Sequence, residues 1–139
     1  LRVAASLEFD PIMGVDRLAT VMMDFPNGKA LFGVSTQLVP YQSMHLFGTK
    51  GHLEVRIPFN APNDRPCIVN EDRGDILREN IIVHSFETVD QYTVQGDAFS
   101  RAILENSEVP STLEDARANI QTLQTIFQAA EEHRWVSIE

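Results

Sequence analysis

Four histidines, one cysteine, two tyrosines and a scatter of serines and acids are the side chains of this 139-residue chain with which chemistry could be done. His45 and His52 lie seven positions apart across a turn and can face one another on adjacent strands, but no third Cys, His or carboxylate falls at ligand spacing. They read as two histidines on a partly covered sheet face, and no metal centre is expected. His84 reads as a strand residue, and His133 as a favourable charge at a helix C-terminus. For nucleophilic catalysis a Ser or Cys must sit beside a positioned base. Ser35, Ser43 and Ser85 lack a Gly-x-Ser-x-Gly context, and Cys67 follows Pro66 in a loop-like stretch. The acid pairs Glu114-Asp115 and Glu131-Glu132 fall at the first and last turns of one helix, where exposure explains them. No Gly-x-Gly-x-x-Gly or Gly-x-x-x-x-Gly-Lys occurs, so nothing in the chain cradles a pyrophosphate. Gly48 and Gly51 are bounded by strands and mark a hairpin turn.

Antiparallel strands must position these residues. Segments rich in β-branched, aromatic and Met residues predict strands at 2–9, 15–25, 30–38, 43–47 and 52–57, with shorter ones at 67–70 and 81–86. Pro26-Asn27-Gly28 predicts a tight hairpin in which Asn-Gly takes positive φ. Alternation places Ala19, Val21, Met23 and Phe25 on one face and Leu18, Thr20 and Met22 on the other. Phe32, Val34 and Leu38 likewise oppose Leu31, Gly33 and Ser35. Both faces are substantially apolar, so one packs on the chain's own helices and the other is expected to meet a partner subunit. Residues 58–78 turn to Pro, Asn, Asp and Arg and break the pattern. Helical spacing then takes over: Tyr92, Phe99, Ala102 and Ile103 mark one helix, and Ala116, Ile120, Leu123, Phe127 and Ala130 another. Ser111-Thr112-Leu113-Glu114 predicts the start of the second helix, with Ser111 as cap, and the helix runs to about His133. Trp135 to Ile138 alternates as a closing strand. The fold class is α+β: a mainly antiparallel open sheet with two helices on one face and the other face used for oligomerisation.

Length and composition bound the rest. One domain, 1–139, fits the size. A net charge of −9 and pI near 4.8 argue against nucleic acid or anionic lipid as the main partner. Lys29 and Lys50 each sit in a turn, and the arginines are scattered. A lone cysteine and the absence of a long apolar run point to a cytoplasmic protein. The chain opens on Leu1 inside a strand-like run, which suggests the downstream part of a longer polypeptide.

The order of segments resembles the C-terminal domain of the Gfo/Idh/MocA oxidoreductases. Residues 15–28 followed by Phe47-Gly48-Thr49-Lys50-Gly51-His52-Leu53-Glu54-Val55 resemble its paired hairpins. Tyr92-Thr93-Val94-Gln95-Gly96-Asp97-Ala98-Phe99, then Pro110-Ser111, Glu114-Asp115-Ala116, Asn119 and Trp135-Val136, resemble its two-helix finish. The resemblance implies a parent enzyme with an N-terminal Rossmann domain that binds NAD or NADP and transfers hydride to or from a sugar, polyol or related alcohol. The family's Glu-Lys-Pro motif and Asp-x-x-x-His segment are absent and would lie upstream of Leu1, so this chain alone is expected to be inactive and to bind no cofactor. By the same resemblance Tyr92 and Gln95 occupy the tyrosine and acid-or-amide positions of a helix that faces the substrate cleft. Alternatively, Tyr92 packs beneath the sheet. Gln37, Tyr41 and His45 flank a strand end as further substrate-side candidates. Two other readings fit the same elements, a small-ligand cup lined by Phe, Met and Val, and a purely structural dimerisation domain.

Overall fold

The computed structural model describes residues 1–138, and the chain divides into two compact units, 1–39 with 111–139 and 40–110. The first unit holds a four-stranded antiparallel sheet. Its strands are β1 (Arg2–Phe9), β2 (Asp16–Phe25), β3 (Gly28–Ser35) and β8 (Val136–Ser137), in the order β3-β2-β1-β8. The second unit holds β4 (Met44–Gly48), β5 (Gly51–Val55), β6 (Cys67–Asp72) and β7 (Ile82–Phe86), paired in sequence order, and helix α1 (Gln91–Glu105). Helix α2 (Leu113–Glu132) belongs to the first unit. The α+β class and antiparallel pairing are as the sequence implies. The strands form two sheets rather than one, and each unit carries one helix.

Alternation builds the core of the first unit. Val3, Val21 and Val136 point to the face that α2 covers, and Ile126 and Ala129 of α2 close over them. Val3 and Val21 are essentially inaccessible, so this sheet and helix enclose a packed core rather than a ligand cup. The helix does not reach the edge strand, where Phe32 and Val34 stay exposed on the same face. On the opposite face Met22 and Leu31 pair across strands and are 46% and 72% exposed.

Two local expectations are corrected. In the β2–β3 hairpin Phe25 pairs with Gly28, so Pro26 and Asn27 form the turn, and neither Asn27 nor Gly28 has positive φ. The reason is Pro26: its ring fixes a negative φ at the first turn position, which forbids the mirror-image turns that Asn-Gly otherwise favours. The cap of α2 is Thr112, not Ser111. The Thr112 hydroxyl accepts from the Asp115 amide at 3.1 Å, and Glu114 and Asp115 place negative charge on the first turn. His133 ends α2 as a left-handed cap with φ 50°. No helix among the described residues is long and apolar enough to cross a membrane.

Candidate functional site

Strand pairing decides which polar groups meet in the second unit. His45 lies opposite Glu54, which lies opposite Asn70, and His52 lies opposite Asp72, so these residues share one face of the sheet with Phe47. Three of them form a chain of contacts. His45 Nδ1 is 2.9 Å from His52 Nε2, and His45 Nε2 is 2.9 Å from Ser43 Oγ. Phe47 stacks on His52 with centroids 4.3 Å apart and planes 6° from parallel. Beside them the Arg78 guanidinium and then the Asn70 amide donate to Glu54, at 2.8 and 3.2 Å, and hold its carboxyl below the usual range. Asp72 accepts from the Gly74 and Asp75 amides, both at 2.9 Å.

The strand ends of the same unit frame a recess of about 600 Å³, walled by Tyr41, Ser43, Arg56, Ile57, Pro66 and Cys67 among others. Tyr41 is 82% exposed. Gln42 shapes the rim, its Oε1 accepting from the Phe59 and Asn60 amides. Arg65 is held by a two-point bond to Asp64.

Helix α1 carries the other pair of candidates. Asp90 caps it, its carboxylate accepting from the Tyr92 amide at 2.9 Å and from the Thr93 hydroxyl at 3.2 Å. Tyr92 therefore sits in the first turn with Gln95 three residues on, on one side of the helix. Tyr92 is 70% exposed, so it does not pack beneath a sheet, and its hydroxyl has no hydrogen-bond partner among the described residues. Gln37 belongs to the first unit and is already engaged: its amide donates to Ser35 Oγ and its side chain to Asp10. His45 is engaged at both ring nitrogens. Tyr41, Tyr92 and Gln95 are the candidates left open to a ligand. The contact of His45 with His52 follows the facing expected from their spacing across the turn, whereas Ser43, just before β4, joins the chain through a position two residues from His45 that residue-by-residue reading passes over.

A dinucleotide would need a parallel β-α-β turn with free amides at a helix start. Every strand pair here is antiparallel, and both helix starts are capped by Asp90 and Thr112, with acids in the first turn of α2. The described residues do not fit a nicotinamide dinucleotide.

A sequence model of the oxidoreductase family, C-terminal alpha/beta domain, matches residues 4–138. An uncharacterised oxidoreductase of Rhizobium meliloti is 33% identical over 139 residues, which is 99% of this chain and 42% of that protein. Among solved structures, an aldose-aldose oxidoreductase from Caulobacter crescentus complexed with glycerol superposes with a TM-score of 0.75 at 20% identity. It is covered over 41% of its length by 99% of this chain. A 3-ketoreductase from Actinomadura kijaniata, in complex with TDP-benzene and NADP, gives 0.68 at 17% identity, with 94% of this chain covering 37% of it. At those identities the likeness is one of fold, and the chain spans about two fifths of the length of these relatives. The match over nearly every residue places this chain in the Gfo/Idh/MocA oxidoreductase family, as its C-terminal domain.

Proposed function

We propose that this domain forms one wall of the substrate cleft of an NAD(P)-dependent oxidoreductase acting on a sugar, polyol or related alcohol. The cofactor is held by a separate Rossmann domain of the same parent protein, and this chain alone neither binds it nor turns over. The parent works in the cytoplasm as a homo-oligomer joined through the sheet. The observation that carries the reading is Tyr92, a phenol projecting from the first turn of α1 with its hydroxyl free and an amide, Gln95, on the same side. A phenol and a carboxamide together offer donor and acceptor to vicinal hydroxyls. Tyr41 stands at the rim of the recess as a second phenol, and His45 contributes by holding Ser43 and His52 in place. Two relatives support the substrate class and cofactor: the 3-ketoreductase is in complex with NADP, and the other structure is an aldose-aldose oxidoreductase complexed with glycerol.

The test is steady-state kinetics of the parent enzyme carrying Tyr92→Phe. Removing one hydrogen bond to a neutral hydroxyl should lower kcat/KM by roughly fivefold to tenfold, the equivalent of about 1 kcal/mol, with most of the loss in KM. Unchanged kcat and KM would remove Tyr92 from the cleft.

A further inference from the structure

The recess at the strand ends of the second unit contains a charge that nothing else in the chain uses. Four arginines occur between residues 40 and 90. Arg65 is bonded at two points to Asp64, Arg73 pairs with Glu71 and Arg78 with Glu54. Arg56 lines the recess and has no carboxylate partner among the described residues. Strand pairing puts it there. Met44 lies opposite Val55, Val55 opposite Val69, and the Arg56 amide donates to the Ile68 carbonyl at 3.3 Å. One step along the same register, Ser43, Arg56 and Ile68 form a row on the face that carries Glu54 and Asn70. Glu54, two residues before Arg56 on that face, is taken up by Arg78 and Asn70.

The charged side chains in the walls are Glu54, Arg56 and Arg65, and only Arg56 is unmatched, so the walls carry one free positive charge. In a chain with 20 acids against 11 lysines and arginines, carboxylates are in excess. A guanidinium that faces a recess and still meets none of them is open to an anion from outside. We propose that the recess binds the carboxylate of a polyhydroxy acid, with Arg56 as the anchoring cation. The guanidinium presents two parallel N–H donors that match the two oxygens of one carboxylate. A phosphate monoester brings about −1.5 to −2 charges at neutral pH, more than one guanidinium offsets on a chain already strongly negative. The Tyr41 and Ser43 hydroxyls stand in the same walls and can bond a ligand's hydroxyls, while Ile57 and Pro66 give its carbon skeleton an apolar surface. The polyhydroxy part of this assignment rests on reading the recess as part of the substrate cleft. The carboxylate part rests on Arg56.

The test is titration of the 139-residue chain with sodium D-gluconate at constant ionic strength, followed through backbone amide NMR shifts. D-Glucitol serves as the neutral counterpart and D-glucose 6-phosphate as the phosphate counterpart. Gluconate should bind at least tenfold more tightly than glucitol, and more tightly than the phosphate, because only it matches the charge and the fork of Arg56. The shifts should gather at residues 40–43, 55–57 and 66–69. Arg56→Gln should weaken gluconate binding by about tenfold, and Arg56→Lys should recover only part of the loss, since it restores the charge without the fork. Arg101→Gln, which removes the same charge from α1, should leave binding unchanged. No binding of gluconate, equal binding of glucitol, tighter binding of the phosphate, or an Arg56→Gln chain that binds as the wild type does would overturn the proposal. The cleft reading fails by a different result, unchanged kinetics in Tyr92→Phe; gluconate held at Arg56 alongside that result would leave a carboxylate site outside the cleft.

Discussion

Asp10 shows how a single side chain can hold a loop that strand patterns leave blank. Its Oδ1 accepts from the Ile12 and Met13 amides, both at 2.9 Å, and Oδ2 accepts from Gln37 at 3.3 Å. Gly14 closes the loop at φ 67°. The Met13 amide first, and the Ile12 amide next, hold the carboxyl below its ordinary value of 3.8. A native value lowered relative to the unfolded chain stabilises the fold fully above the unfolded value, and that contribution is lost as pH falls through the native one. Asp10→Asn keeps an acceptor but no charge. The difference in unfolding midpoint between wild type and Asp10→Asn, measured in urea at pH 7, 4 and 3, should shrink steadily on acidification. A difference that stays constant would show that the charge contributes nothing. The residue scale is also where the sequence is least legible. Gln37 reads as a substrate contact by its place near a strand end, yet its partner Asp10 is 27 positions away, and no local pattern connects them.

At the scale of elements most of the fold is legible, since alternation and helical spacing come from the same faces that bury Val3, Val21, Ile126 and Ala129. Turn chemistry is legible only when every turn residue is weighed, as Pro26 shows. Gly51 makes the same point more sharply. The flanking strands explain Gly48 and Gly51 as turn glycines, but neither has positive φ, and they pair with each other across Thr49-Lys50. What demands glycine at 51 is β6: a Cβ there would stand 2.7 Å from the Asp72 carbonyl oxygen, whereas a Cβ at Gly48 would meet the Gly51 carbonyl oxygen at 3.5 Å, an ordinary contact. Gly51→Ala must therefore push β5 from β6 and should cost about 1–3 kcal/mol, as overpacking against rigid backbone does. Gly48→Ala should cost markedly less. Urea unfolding of the two variants makes the comparison, and equal losses would return both glycines to a turn role.

At the scale of the whole molecule, the sequence shows strands but not which edges join, so the division into two sheets at residues 39 and 40 is invisible in residue patterns. It does show apolar residues on both faces of β2 and β3, and this bears on assembly. Met22 and Leu31 lie side by side on the face of the first sheet opposite α2, and Ala4 pairs with Met22 to continue the row. Covering such a row removes apolar area from water, while a net charge of −9 on each copy opposes association. The two effects respond oppositely to salt, because screening weakens the repulsion and leaves apolar burial intact. Sedimentation equilibrium should therefore give a dimer or larger assembly whose affinity rises from low to moderate salt. Leu31→Glu, which places a like charge in the row on both copies, should shift it toward monomer. A monomer at high concentration in every salt would overturn assembly, and an assembly untouched by Leu31→Glu would move the contact away from this face.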